Sequence, residues 1–214
     1  MRRQLTERRA APAVYYRRRV VNALMLALVG AGTLLALCFL VAVLGYVLVR
    51  GGPALNLAFF TETPKPVGEA GGGMANAIAG TLILVALASL LSLPAGIGAG
   101  VYLAEYGGQG RLATLIRFTV DVLSGVPSIT IGLFVYTLIV LPMRSFSALA
   151  GAVALAVLML PTVVRATEEM VRLVPGSVRE AGLALGIPRW KTIAWIVLPG
   201  ARDGILTGAM LALA

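Results

Sequence analysis

Long apolar segments limit this chain to a membrane fold. The stretch from Val20 to Val49 carries no charged side chain, and a helix needs about 20 such residues to cross a bilayer. Further apolar stretches cover residues 77–103, 116–141 and 148–171, and another begins at about Gly200. Only 13% of the residues are charged, whereas soluble domains have about a quarter. The sequence therefore predicts an all-α, polytopic membrane helix bundle with about five spans.

The basic residues predict how the spans are oriented. Seven of the 18 Lys and Arg residues lie in the first twenty positions, before the first span. Basic residues gather on the cytoplasmic side of membrane proteins, so residues 1–20 are predicted to be a cytoplasmic tail and 21–49 the first transmembrane helix. Residues 50–75 are then an outer loop. With this topology, fifteen basic residues are on the inner side and three, Arg50, Lys65 and Arg144, on the outer side.

Composition also argues against several function classes. There is no histidine and a single cysteine, Cys38, inside the first apolar stretch, which removes the commonest general base and the commonest transition-metal ligand. We predict no catalytic residue, no metal site and no cofactor. No GxxxxGK[ST] sequence is present, so any ATP must be bound by another subunit. Aromatic residues are not interleaved with basic ones, so nucleic-acid binding is not expected.

Glycine and proline interrupt several of the predicted spans. Pro94, with Gly96, Gly98 and Gly100, is typical either of a broken helix lining a pathway or of a simple kink. Gly125 and Pro127 interrupt the third span near its start. The triple glycine 71–73 in the outer loop is interpreted as a flexible linker rather than a phosphate cradle.

One polar segment lies between two apolar ones near the end of the chain. It reads EAGLALGIPRWKTIAWIVLP, residues 180–199. A helix ending at Gly186 and another beginning at Pro188 fit the usual places of these residues. Two short helices between two spans would form a rigid elbow that suits contact with another protein. The alternative is an ordinary helix–turn–helix loop.

The spacing within this segment resembles the EAA loop of importer-type ABC transporter permeases. The residues that carry the resemblance are Glu180, Ala181, Gly186, Ile196, Leu198 and Pro199, and the one departure is Gly182. Gly182 stands where the family usually has a second alanine. The resemblance implies that residues 176–199 form coupling helices which bind a separate ABC ATPase, and that residues 76–214 are a permease domain of the MetI-like class.

Two further stretches resemble the PstA-type permeases of bacterial phosphate importers. These are LSGVPSITIGLFVY, residues 123–136, and MLPTVVRATEEMVRLVP, residues 159–175. The resemblance implies phosphate transport across the cytoplasmic membrane with a second permease subunit in a heterodimer and a periplasmic phosphate-binding protein. The family has six spans, so we expect the sixth to be missing and the C-terminus to be truncated. The alternatives are a permease for another oxyanion or phosphonate, and a non-transporting scaffold subunit. A membrane-embedded lipid enzyme is not favoured, because the spans lack a cluster of acid, base and nucleophile.

Under the family interpretation, one arginine is the first candidate for the substrate pathway. Arg165 follows Pro161 within the fourth span, where a phosphate would need opposite charge. The alternative is an interfacial arginine that reaches lipid headgroups or pairs with Glu168 or Glu169. The hydroxyls of Ser124, Ser128 and Thr130 are further candidates, although such groups often bond their own helix backbone. Arg117 and Asp121, four residues apart, are predicted to neutralise each other.

Overall fold

The structure is a computed structural model that describes residues 11–66, 68, 69 and 71–214. Arg2, Arg3, Arg8 and Arg9 of the predicted basic tail lie outside these residues. The described residues contain helices and no strand, which confirms the all-α prediction. They divide into two compact units, 1–75 and 76–214.

The first unit is formed by one long helix and an ordered loop. Helix α1, Ala11–Gly51, is followed by a 3-10 turn, Gly52–Ala54, and a short helix α2, Leu57–Thr61. Helix α1 begins ten residues before the predicted start of the span at position 21. Arg17, Arg18 and Arg19 are therefore helical and lie in the first turns of α1.

The prediction of a flexible linker at the triple glycine is wrong. The loop folds back on α2, with the Gly73 N–H donating to the Thr63 carbonyl at 3.2 Å and the Met74 N–H donating to the Phe59 carbonyl at 2.8 Å. Gly71 and Gly72 adopt positive φ angles of 87° and 92°, a region that other residues rarely enter. These glycines are therefore needed for an ordered turn.

The second unit contains the remaining helices. Helix α3 is Ala75–Glu105, and all of it except Ala75 belongs to this unit. The helices that follow are α4, Arg111–Gly125; α5, Ser128–Val135; α6, Ala148–Leu173; α7, Gly176–Ala184; α8, Arg189–Thr192; and α9, Leu198–Leu213. A π-helical segment, Tyr136–Val140, and a short turn of helix, Leu141–Met143, continue α5. A second π-helical segment, Ile193–Val197, joins α8 to α9.

Of the two alternatives for Pro94, the broken helix is not found, because α3 runs through this residue without interruption. Two of the glycines that follow, Gly96 and Gly100, serve close packing. A methyl group added at Gly96 would lie 2.7 Å from Cγ1 of Val163, and one added at Gly100 would lie 2.6 Å from Cβ of Thr167. Two glycines four residues apart let membrane helices approach closely.

The same packing recurs between α6 and α9. Gly204 of α9 lies against Met170, and Gly208 lies against Ala166, each without room for a methyl group. Helix α6 thus packs against two helices that each present a Gly-x-x-x-Gly pair. Lipid tails are as apolar as leucine side chains, so the hydrophobic effect does not bring helices together within a bilayer. Helices associate there largely through van der Waals contact of this kind.

The third predicted span, 116–141, is not one straight helix. Helices α4 and α5 are bent by 106° at Val126 and Pro127, so the predicted interruption is confirmed. Proline disfavours helical geometry at the residue before it, and Val126 accordingly has an extended ψ of 128°.

The last predicted span begins earlier than the expected position at Gly200. Helix α8, the π segment and α9 form one helical stretch, Arg189–Leu213, of 25 residues. By length and composition, the described residues contain four helices able to cross a membrane, or five if the bent pair counts as one span. Pro161 lies inside α6 without breaking it.

The close contact at Gly100 can be tested against Gly98 on the same helix. A Cβ at Gly98 has nothing within 4 Å, so Gly98→Ala should leave stability unchanged or raise it by up to about 1 kcal/mol, the helix propensity gain. Gly100→Ala should lower the free energy of unfolding by about 1–3 kcal/mol through overpacking. The measurement is unfolding in mixed micelles; equal effects of the two substitutions would contradict the packing described.

Candidate functional site

The elbow begins with α7 and turns at Gly186. The Gly186 N–H donates to the Leu183 carbonyl at 2.9 Å, and the Ile187 N–H donates to the Gly182 carbonyl at 3.0 Å. This pair of bonds is a Schellman cap, and it requires the φ of 73° that Gly186 adopts. A Cβ at Gly186 would meet open space within the chain. The predicted turn is therefore confirmed, and glycine is needed for its φ angle rather than for close approach.

The second arm of the elbow begins as predicted but does not end as predicted. Pro188 precedes the first residue of α8, which then continues into the last span instead of forming a separate short helix. The π segment between them has the Leu198 N–H donating to the Ile193 carbonyl. Pro199 follows at once, within the first turn of α9, where the N–H that proline lacks is not required.

The two arms of the elbow touch at a glycine and a threonine. A methyl group at Gly182 would lie 2.7 Å from both Cγ2 and Oγ1 of Thr192. Thr192 is 2% exposed, and its hydroxyl has no hydrogen-bond partner among the described residues. Gly182 is the position at which this chain departs from the usual Glu-Ala-Ala pattern. The side chain at 192 explains the departure, because it occupies the space of the missing methyl group.

A buried carboxylate joins the elbow to α3. Glu105 is the last residue of α3, and its side chain is 2% exposed. Arg179 of α7 donates from Nε to Glu105 Oε1 at 2.7 Å, from Nη1 to the Val174 carbonyl at 2.6 Å and from Nη2 to the Val171 carbonyl at 2.8 Å. Arg189 of α8 donates to the backbone carbonyl of Glu105.

A second carboxylate, Glu168, binds two arginines. Its Oε1 accepts from Nε of Arg117 at 3.2 Å and from Nη2 of Arg172 at 2.6 Å, and its side chain is 7% exposed. Arg117 also donates to the carbonyl of Gly108 at 3.2 Å. The predicted pairing of Arg117 with Asp121 is therefore wrong, since Arg117 reaches across to α6 instead.

Asp121 pairs with Arg165. Two ion pairs therefore join α4 to α6, Arg117 with Glu168 and Asp121 with Arg165. Neither Glu168 nor Glu169 is the partner of Arg165 that sequence reasoning had suggested. Both members of the pair stay accessible, the Arg165 side chain at 44% and the Asp121 side chain at 57%. An exposed ion pair on helices of a membrane protein is unusual, because such residues normally face protein or a water-filled cavity.

The predicted hydroxyl donors are not gathered around Arg165. Ser124 donates to the carbonyl of Val120 in its own helix at 2.8 Å. Ser128 begins α5 beyond the bend. Thr130 lines an apolar cavity of about 310 Å³ between α5 and α6. Within the described part of the chain, no hydrogen bond joins Ser128 or Thr130 to Arg165.

The remaining predicted coupling residues lie on different surfaces of the elbow. Glu180 and Ala181 are exposed on α7, and Glu180 borders a cavity of about 260 Å³ that Glu105, Arg179 and Arg189 also line. Ile196 is 38% exposed. Leu198 packs against the buried cluster that includes Val171, Val197 and Ala201.

Sequence reasoning missed Glu105 and Thr192. The signal for Glu105 was available, since it is a lone acid closing an apolar span directly before the Tyr-Gly-Gly turn. Its partners were not predictable, because Arg179 lies 74 residues away. Thr192 carries no sequence signal and is identified by its contact with Gly182.

Comparison with known proteins gives a consistent result. Residues 96–214 match the family described as binding-protein-dependent transport system inner membrane component. A Yersinia pestis protein named phosphate transport system permease protein PstA is 48% identical over 197 residues, which are 92% of this chain and 67% of that protein. A Xylella fastidiosa protein of the same name is 46% identical over 207 residues, 96% of this chain and 71% of that protein.

The fold also has a solved counterpart. A chain from the inward-facing MetNI methionine ABC transporter superposes with a TM-score of 0.60 over 65% of this chain and 68% of that chain. The sequence identity is 20%, so this likeness concerns the fold alone.

The contact between the elbow arms predicts a rescue. Gly182→Ala should lower the free energy of unfolding by about 1–3 kcal/mol, because the new methyl group overlaps Thr192. The double variant Gly182→Ala/Thr192→Ala should recover most of this loss, since the overlapping atoms and the unpaired hydroxyl are gone. Melting of the purified protein measures both; a double variant less stable than Gly182→Ala alone would refute the compensation.

Proposed function

The chain belongs to the family of binding-protein-dependent transport system inner membrane components, and within that family to the PstA-type permeases; we propose that it carries inorganic phosphate into the cell as one permease subunit of an ATP-driven importer. Its relatives bear the name of phosphate transport permeases over more than nine-tenths of this chain. The observation within the molecule that supports the proposal is the accessible ion pair of Arg165 and Asp121.

Arg165 is proposed as the residue that meets phosphate in the pathway. Its guanidinium lies on a helix that crosses the membrane, with almost half of the side chain accessible. A phosphate in a medium of low dielectric needs charge-assisted hydrogen bonds, and the planar guanidinium supplies several in a fixed geometry. Asp121 would hold Arg165 in place while no phosphate is bound, and the anion would displace its carboxylate.

The hydroxyls are proposed as secondary donors. Ser128 and Thr130 lie beyond the bend between α4 and α5, and both residues are exposed. Ser124 would first have to release the carbonyl of Val120. Their contribution is therefore smaller than that of Arg165.

The elbow is proposed to bind an ABC ATPase subunit. Beside Glu180 and Ala181, the apolar side chains of Leu183 and Leu185 are 54% and 79% exposed, a surface that favours protein contact over solvent. Closure of the ATPases around ATP would move the elbows, and the helices would rock as rigid bodies. Hydrolysis itself would take place on the ATPase, so the permease subunit is not an enzyme.

The other components follow from the same class of importer. A second permease subunit, in a heterodimer, would complete the pathway, and a periplasmic phosphate-binding protein would deliver the anion. The excess of basic residues on the predicted inner segments supports a cytoplasmic N-terminus and a cytoplasmic elbow. The proposed location is the bacterial cytoplasmic membrane.

The pathway assignment predicts opposite effects for the two members of the ion pair. In proteoliposomes that contain the whole importer, Arg165→Gln should reduce phosphate uptake about 10- to 100-fold, the size of a charge-assisted bond. Arg165→Lys should retain part of the activity because the charge remains. Asp121→Asn should lower the KM for phosphate, since the competing carboxylate is lost.

Copurification of the other subunits is the control for assembly. Loss of assembly in parallel with loss of uptake would make Arg165 a structural residue and remove it from the pathway.

Competition by sulfate, molybdate or methylphosphonate tests the alternative functions. Strong inhibition by one of these anions, together with weak phosphate uptake, would identify a permease for another oxyanion. An assembled complex with no uptake of any of them would indicate a scaffold subunit.

A further inference from the structure

Glu105 receives a polar contact from each arm of the elbow. Its carboxylate binds Arg179 of α7, and its backbone carbonyl binds Arg189 of α8. The guanidinium of Arg189 also lies 5.1 Å over the ring of Tyr106. Within the described residues, every hydrogen bond or ion pair between the elbow and α3 ends on Glu105.

Arg179 extends this connection to a third helix. Besides the carboxylate of Glu105, it binds the carbonyls of Val171 and Val174 at the C-terminal end of α6. A cation at this end of a helix is favoured by the helix dipole. One guanidinium thus joins the ends of α3 and α6 to the first arm of the elbow.

The environment of Glu105 makes the connection stiff. Its side chain is 2% exposed, and that of Arg179 is 25% exposed. Ion pairs shielded from water are screened less than surface pairs, and removal of one partner leaves a buried charge without compensation. The elbow arms, in contrast, present Leu185, Trp190 and Glu180 to solvent.

We infer that Glu105 is a positioning residue for transport, which makes the elbow, α3 and the C-terminal end of α6 move as one body. Helix α6 carries Arg165, and α3 packs on α6 through Gly96 and Gly100. Movement of the elbow would therefore reach α3 through the contacts of Glu105, and it would reach α6, which carries Arg165, through Arg179 and along the chain. The inference rests on the proposed function, because it takes the elbow to be the part that the ATPase moves.

Glu105→Gln tests this role in the whole importer reconstituted in proteoliposomes. The amide keeps the shape of the side chain but removes the charge that binds Arg179. Phosphate transported per ATP hydrolysed should fall about tenfold, while ATP hydrolysis stays within about twofold of the wild type. Glu105→Asp, which keeps the charge, should restore part of the ratio. An unchanged ratio in Glu105→Gln would overturn the inference.

Glu169→Gln is the matched control. Glu169 is an exposed glutamate of α6, and no ion pair or hydrogen bond of its side chain is found among the described residues. This substitution should leave the ratio at the wild-type value.

If Glu105→Gln fails to assemble, Arg189→Gln tests the contact of Arg189 with the Glu105 carbonyl. Arg189 is exposed, and its loss leaves the buried pair of Glu105 and Arg179 intact. A smaller decrease in the same ratio is expected, and a wild-type ratio would overturn the inference.

A second readout does not depend on phosphate. Spin labels at Ser177 of α7 and Leu90 of α3, with Cys38 replaced by serine, report the distance between elbow and span. In the wild type this distance should stay the same when ATP is added, whereas in Glu105→Gln it should change or broaden. Absence of phosphate uptake by the wild type would refute the proposed function alone, and an ATP-dependent distance in the wild type would refute the inference alone.

Discussion

Close contact of α6 with α3 and α9 is the interaction on which the second unit depends. In a bilayer there is little hydrophobic gain from bringing apolar helices together, so association relies on van der Waals contact and on polar bonds between helices. Gly96 and Gly100 of α3 and Gly204 and Gly208 of α9 remove the side chains that would separate these helices from α6. The positions of Arg165, of the ion pairs between α4 and α6 and of the elbow all depend on the position of α6.

The two buried carboxylates among the described residues of this unit are paired with arginines. Glu168 compensates Arg117 and Arg172, and Glu105 compensates Arg179. These carboxylates are buried, as expected of groups that hold helices in a fixed relation, whereas the pair of Arg165 and Asp121 remains accessible. Two of the buried contacts, Glu168 with Arg117 and Glu105 with Arg179, connect different helices, whereas the accessible pair leaves the Arg165 guanidinium open to solvent, as the proposed pathway role requires.

Much of the architecture could be predicted from the sequence, because apolar length and helix-ending residues are local signals. The membrane class, the bend at Pro127, the turn at Gly186 and the assignment to PstA-type importer permeases are confirmed. Pairing between distant helices was not predictable. Arg117 and Asp121 have the spacing of an intrahelical pair, yet each finds a closer partner on α6, since tertiary contact outweighs a weak i,i+4 interaction. The glycines after Pro94 were interpreted as a break or a kink, and their role in packing is identified only by the contacts of Gly96 with Val163 and of Gly100 with Thr167.

The central claim is that this permease moves phosphate in response to ATP. The most direct measurement is uptake of labelled phosphate by cells that lack their own high-affinity importer. They would express this protein together with an ABC ATPase, a second permease subunit and a phosphate-binding protein. The account predicts saturable, ATP-dependent uptake that disappears when this subunit alone is omitted. A complex that inserts and assembles but gives no uptake above that background would contradict it.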